Sequence, residues 1–187
     1  MAWRPRVALV FDTFPPHTDG GAGFVHNLSR ELVKLGVEVH VITSTTARRF
    51  DARTMPQGFH LWPILRDWSW GACGSEAVSV LREALRKIHP DLIHVIYPSS
   101  ERPNGYHLPV LLKLLGRCPV VTTFFSLSLL RGVTMRTRVT GLWLILTSNI
   151  LVSHDPFYLS FLRLLSSWRL GRVRYVPVGS NIRPTDA

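Results

Sequence analysis

The stretch Val7-Ala8-Leu9-Val10-Phe11-Asp12-Thr13-Phe14-Pro15-Pro16-His17-Thr18-Asp19-Gly20-Gly21-Ala22-Gly23 decides the fold. An apolar run breaks at Asp12, crosses a turn-rich segment and re-emerges as a helical pattern, which reads as strand, glycine loop and helix N-terminus. Glycines let backbone approach a ligand closely. The unpaired N–H groups and positive dipole end of the helix attract phosphate, carboxylate or hydroxyl oxygens. Phe24, Val25, Leu28, Leu32 and Leu35 recur on one helical face, and Gly36 stands where a helix-terminating glycine belongs. Val37 to Thr43 is a second strand, so the chain opens with a strand–helix–strand unit of an open α/β sheet.

Strands and helices then alternate to the end. The pattern predicts strand 6–12, helix 22–35, strand 37–43, a polar and basic connection from Thr45 to Gly58 that stays out of the core, and a short strand around His60 to Ile64. A helix from Ser75 to His89 stops before Pro90, with Val78, Leu81, Leu85 and Ile88 inward; strand Leu92–Tyr97 follows, then a loop from Pro98 to Gly105. Helix Leu108–Leu115, strand Val120–Phe124, helix Ser128–Leu146, strand Asn149–Val152, helix Pro156–Trp168 with Asp155 as N-cap, and strand Val173–Val176 complete the order. Such alternation predicts a mostly parallel, Rossmann-like sheet with helices on both faces and ligands beyond the carboxyl ends of the strands.

The opening resembles the N-terminal domain of retaining glycosyltransferases of family 4, which have the GT-B architecture of two facing Rossmann-like domains. The resemblance rests on Phe14-Pro15-Pro16, on Gly20-Gly21, and on Leu35-Gly36-Val37-Glu38-Val39 in place of a family "Leu-Gly-His-Glu-Val". Pro90-Asp91-Leu92-Ile93-His94 is similar to the family's "Pro-Asp-Val-Val-His" strand, and Val120-Val121-Thr122-Thr123 to its next strand. Val176-Pro177-Val178-Gly179-Ser180-Asn181-Ile182 is similar to the segment that closes the N-domain. These segments cover nearly the whole chain in the right order.

At 187 residues the chain suits one α/β domain with a full core, about half of a two-domain enzyme. The expectation is therefore the acceptor-side half of a glycosyltransferase, residues 1–187, with the C-terminal nucleotide-sugar domain absent and the chain alone inactive. The resemblance implies transfer of a sugar with retention from a nucleotide-sugar donor, a co-substrate held mainly by the absent domain, to a glycan, lipid-linked or small-molecule acceptor. It implies no metal and no other cofactor, and it leaves room for a separate C-terminal-domain subunit as partner.

The formal net charge of +10 is out of line with an ordinary domain. A cationic surface suits nucleic acid, an anionic bilayer or phosphorylated substrates. Nucleic acid is disfavoured, because the arginines are dispersed and no recognition motif is present. Cys73 and Cys118 lie far apart without metal-ligand spacing and read as reduced thiols of an intracellular protein. The apolar run behind Arg4 and Arg6 is short and ends in Asp12, which predicts no secretory leader. The run Gly141–Val152 falls short of the ~20 apolar residues a membrane span needs and contains Thr147, Ser148 and Asn149. Phe161 to Arg169 mixes apolar side chains with arginines; it reads as a core-packing helix with a solvated face, with attachment to a lipid surface as the alternative. The expected location is cytoplasmic, with peripheral contact at the inner face of the membrane as the variant of that reading.

The candidate site residues lie at the carboxyl ends of the strands. Gly20 and Gly21 come first, their N–H groups facing the donor phosphate or the reacting sugar in the arrangement the resemblance implies; a tight turn without a ligand is the plain alternative. Asp19 and His17 are candidates for acceptor hydroxyls, as are Arg102, Asn104 and Tyr106 on the fourth loop, each set against an ordinary solvated loop residue. Ser126 lies beyond the Val120–Phe124 strand. There the chain departs from the family, which commonly reads "Thr-Phe-His" with the His meeting the transferred sugar, whereas Phe125 takes that place here. Phenylalanine neither hydrogen-bonds nor stabilises developing charge. Ile96 likewise replaces a residue that is often polar in relatives. The catalytic group is thus unassigned, and a non-catalytic carbohydrate- or partner-binding domain, or a remnant, is the competing reading. Ser153-His154-Asp155 has the residue types of a hydrolase triad but reads as a helix start, since triad partners come from separate segments. A dinucleotide fingerprint lacks its third glycine after Gly21 and Gly23, and lacks an acid at Thr43-Ser44.

Overall fold

The computed structural model describes residues 4–65, 75–97, 108–124, 145–166 and 172–177. Seven strands form one sheet: β1 (Arg6–Val10), β2 (Glu38–Ser44), β3 (Phe59–Leu65), β4 (Leu92–Tyr97), β5 (Val120–Phe124), β6 (Ile150–Ser153) and β7 (Val173–Tyr175). Every pairing is parallel, and the order is β3-β2-β1-β4-β5-β6-β7. The helices are α1 (Gly20–Lys34), α2 (Ser75–Ile88), α3 (Leu108–Gly116) and α4 (Pro156–Leu165). The chain is thus a Rossmann-like α/β domain with a fully parallel sheet.

Side chains alternate between two cores because successive strand residues face opposite sides of the sheet. Val7, Leu9, Val39 and Val41 meet Val25 of α1 on one face, whereas Ala8, Val10, Ile42, Ile93, Val95 and Val120 meet Leu81, Leu85 and Ile88 of α2 and Leu112 of α3 on the other. Moving from β1 to β2 and from β4 to β5 in opposite directions with right-handed crossovers requires this division of helices. A third cluster joins Phe124, Leu151 and Val173 to Leu162 of α4. Pro63 sits in β3, which lies at the sheet edge, where a residue without an N–H is tolerated.

α1 is fixed at both ends by its sequence. Asp19 caps it, accepting the Ala22 N–H at 2.8 Å. Gly36, at φ 86°, ends it: its N–H reaches the Val33 carbonyl at 2.9 Å and the Val37 N–H reaches that of Leu32 at 3.1 Å, which satisfies two of the last-turn acceptors.

The connection after β2 departs from expectation. Two short 3-10 turns, Thr45–Arg49 and Ala52–Thr54, occupy it, and Ala47 and Met55 are buried. Its arginines and exposed polar residues made the segment look peripheral, yet Phe50 packs edge-on against Phe14 at 5.0 Å between ring centroids. Phe14 is itself fully buried and stacks on Phe59 at 5.8 Å. Burying one such ring is worth about 1.5–3 kcal/mol, so the β1–α1 loop is pinned to the sheet by Phe14 rather than held only by its ends.

Helix α1 starts at Gly20, two residues ahead of the expected start, because its cap is Asp19. α2 ends at Ile88, and His89 takes a left-handed φ of 48° before Pro90. Of the apolar run from Gly141 to Val152, residues 145–147 are helical and Ile150 begins β6. α4 buries Leu162 and exposes Arg163 and Leu164, a core-packing helix with a solvated face. No helix among the described residues is long and apolar enough to cross a membrane. Cys118 is a free thiol, partly buried, and Cys73 lies outside the described residues.

Candidate functional site

β1 leads leftward to β2 and β4 leads rightward to β5, so the topological switch point lies between the adjacent strands β1 and β4. Open α/β sheets bind ligands in the crevice at the carboxyl ends beside such a point. The loop from Phe11 to Asp19 stands on one side of it.

The two glycines at the start of α1 have different roles. A Cβ on Gly21 would fall within 2.6 Å of Cε1 of Phe11, a buried ring with no space to retreat. Gly21 is therefore a packing requirement that lets α1 close onto β1. A Cβ on Gly20 would meet no described atom within 4 Å, so this is the open face of the helix N-terminus. Among the described residues neither the Gly20 nor the Gly21 N–H finds an acceptor, since the Asp19 carboxylate takes the Ala22 N–H and the Asp19 carbonyl takes that of Gly23 at 3.1 Å. Two donors and the dipole's positive end thus remain for an oxygen ligand.

His17 lies at the far side of the same loop, its Nε2 3.0 Å from the Thr46 hydroxyl, and the Pro15–Pro16 bond before it is cis. The Thr46 hydroxyl also meets that of Ser44 at 2.7 Å. Asp19 and His17 therefore flank the glycines, one as a cap and the other tied to the turn after β2. Phe125, Ser126, Arg102, Asn104 and Tyr106 lie outside the described residues.

On the α1 side two histidines approach each other: His94, which the sequence marks as a strand histidine satisfied by packing rather than a catalytic group, and His154. His94 in β4 shares a 2.7 Å hydrogen bond with the Thr123 hydroxyl of β5. His154, just after β6, bonds through Nδ1 to the Val176 carbonyl and stands edge-on to Phe24 of α1 at 5.3 Å. Burial, and to a smaller extent the proximity of His154, together lower the His94 pKa to about 4. His94 is therefore a neutral imidazole near pH 7. Spacing in the sequence held no sign of this pairing, because the partners are brought together by strand order. The Ser153 hydroxyl is used locally, donating to the Asp155 carbonyl at 2.9 Å, so Ser153-His154-Asp155 forms a turn and not a triad.

A second gathering of histidines occupies the opposite, amino-terminal ends of the strands. The candidate ligand atoms of Glu38, His40 and His60 lie within 4.8 Å of one another. The Trp62 indole N–H donates to His40 Nδ1 at 3.1 Å, which leaves the His40 proton on Nε2, 3.0 Å from Glu38 Oε1. His60 stacks on His40 at 4.6 Å, and Arg6 reaches the other Glu38 oxygen at 3.5 Å. With both His40 nitrogens committed, a metal would have to break the Trp62 or the Glu38 bond. The cluster is a hydrogen-bonded cross-link between β1, β2 and β3, and burial lowers the His40 pKa.

Fold and crevice define a Rossmann-like α/β domain with an anion-attracting helix start beside the switch point. The model of Glycosyltransferase Family 4 matches residues 18–176, and the chain belongs to that family. Among solved structures it is similar to HepE of Anabaena, crystallised with UDP and glucose (TM-score 0.62, 9% identity, 95% of this chain and 45% of that one). It is also similar to a glycosyltransferase from Rickettsia africae (TM-score 0.62, 13% identity, 97% and 47%). The UDP-GlcNAc 2-epimerase of Methanocaldococcus jannaschii is a third (TM-score 0.61, 16% identity, 91% and 45%). The chain spans less than half the length of each of these proteins. At such identities the likeness is one of fold. No curated protein matches the chain by sequence.

Proposed function

We propose that this family 4 domain is the acceptor-side half of a retaining glycosyltransferase, which works on a nucleotide-sugar donor when a second, nucleotide-sugar-binding domain faces it. The observation that carries the reading is the pair of unused N–H donors on Gly20 and Gly21 at the switch-point crevice. Retaining transfer by such an enzyme needs charge stabilisation around a departing diphosphate and an orientation of the acceptor hydroxyl, and oriented backbone donors in a water-poor cleft supply the first. Neutral His94, tied to Thr123, is suited to positioning and not to carrying positive charge. The donor is a co-substrate in this reading, and no further cofactor or metal has a role in it.

The test is sugar transfer from a panel of nucleotide sugars, with the chain alone and with a facing nucleotide-sugar domain added. Transfer that depends on the added domain and is weakened by Gly20→Pro, which removes one N–H, supports the reading. A folded chain that transfers nothing in either setting refutes it and favours the second reading, a non-catalytic carbohydrate- or partner-binding domain. That second reading draws on Phe125 at the usual His place. Restored transfer in Phe125→His would identify what the site had lost.

A further inference from the structure

We infer that the acceptor carries a phosphate group, and that His17, Arg48 and Arg49 form the subsite for it. A cavity of about 610 Å³ opens at the carboxyl ends of β1 and β2, lined by Pro16, His17, Thr45, Thr46, Arg48 and Arg49. It lies on the same end of the sheet as Gly20, on the acceptor side of the domain, so the inference rests on the transferase reading above for the word acceptor, though not for the binding.

Three features set this lining apart from an ordinary basic turn. Its two guanidinium groups, from consecutive residues, line one cavity and have no acidic partner among the described residues; Arg82 and Arg86 of α2 share the second property but do not line this cavity. The acids of the neighbouring turns are already engaged: Asp51 holds Arg53 through two side-chain bonds of 2.9 and 3.1 Å, and Asp19 caps α1. The platform is also rigid. Ser44 caps the 3-10 turn through the Thr46 N–H, Ala47 is buried in its centre, and Phe50 locks its end against Phe14. Two arginines of a fixed turn and the His17 imidazole, itself 3.0 Å from the Thr46 hydroxyl of that turn, therefore border one cavity.

The chemistry selects phosphate over a neutral sugar. Guanidinium groups present a planar fork of donors that matches phosphate oxygens and loses little solvation in doing so. The His17 imidazole and the Thr45 hydroxyl line the same cavity and add hydrogen-bonding groups to it, while the Thr46 hydroxyl is taken by His17 and Ser44. A lipid-linked phosphate and a soluble phosphate ester share this chemistry.

The test uses the whole chain and two probes. Inorganic pyrophosphate is titrated at constant ionic strength while backbone amide resonances are followed. We expect saturable shifts at His17 and Thr45 to Arg49, binding weakened about tenfold or more in Arg48→Ala/Arg49→Ala, and an intermediate loss in Arg48→Lys/Arg49→Lys, which keeps the charge but not the fork. Arg82→Ala/Arg86→Ala, two exposed arginines of α2, should bind as the parent chain does. Non-saturable shifts, equal weakening in both alanine pairs, or binding unmoved by either would overturn the subsite and reveal non-specific attraction to a cationic surface. In the second arm, flotation with phosphatidylcholine vesicles containing about one-fifth phosphatidate separates the sources. Flotation lost with Arg48 and Arg49 assigns a lipid-borne phosphate, and pyrophosphate binding without flotation assigns a soluble one. Failure here is distinct from failure of the transferase reading: site-specific pyrophosphate binding without sugar transfer would leave the subsite standing, and transfer without such binding would remove it.

Discussion

Lowering the pH tests the buried His94. An unfolded imidazole takes up its proton near 6.5, whereas folded His94 stays neutral down to about 4. Between these values the unfolded chain binds more protons, so stability is full above 6.5, falls as the pH drops through the window, and levels off below about 4. The window is about 2.5 pH units wide and each unit is worth about 1.4 kcal/mol, so His94 alone removes about 3.5 kcal/mol, a large share of the ~5–15 kcal/mol that holds a domain together. The assay is urea unfolding at a series of pH values from about 7 to about 4.5, on the parent chain and on His94→Gln, whose amide can still meet Thr123 but does not titrate. The parent should lose stability more steeply, by the slope of about one proton. His40, whose pKa burial also lowers, contributes equally to both chains and cancels in the difference. An imidazole resonance of His94 that titrates near 6.5, or identical pH slopes in the two chains, would refute the reasoning.

Gly21→Ala should destabilise the domain by about 1–3 kcal/mol in thermal or urea unfolding, because its methyl group collides with the buried Phe11 ring, whereas Gly20→Ala should leave stability within about 0.5 kcal/mol; equal effects would mean that the glycines are interchangeable. Asp19→Ala removes the acceptor of the Ala22 N–H and should cost about 1 kcal/mol, with Asp19→Asn recovering most of it. Thr43 is fully buried and its hydroxyl has no partner among the described residues, so Thr43→Val, which keeps the shape and the strand preference, should be neutral or stabilising by about 1 kcal/mol. A loss of that size instead would reveal a hidden partner.

The sheet was legible because its signals are local. β4 and β5 fall at Leu92–Tyr97 and Val120–Phe124, as their apolar runs predict. The end of α1 is dictated by Gly36, since a left-handed residue there closes the last carbonyls. The misreading of Thr45 to Gly58 came from the same reliance on composition: three arginines, Arg48, Arg49 and Arg53, say nothing about Ala47, Phe50 and Met55 turning inward between them. The glycine loop was found as a motif, but which glycine packs and which stays open depends on where the Phe11 ring points.

By itself the sequence determined most of the described elements, a mostly parallel sheet and the resemblance to the family, because hydrophobic period, caps and glycines act within a few residues of chain, whereas most of the helix expected at Ser128–Leu146 lies outside the described residues. Only the tertiary structure decided that His94 meets Thr123 across two strands, that Glu38, His40 and His60 form a cross-link, and that His17 faces the turn carrying Arg48 and Arg49. These contacts join residues far apart in the chain, and their partners, burial and protonation follow from strand register and helix placement, which no local pattern encodes.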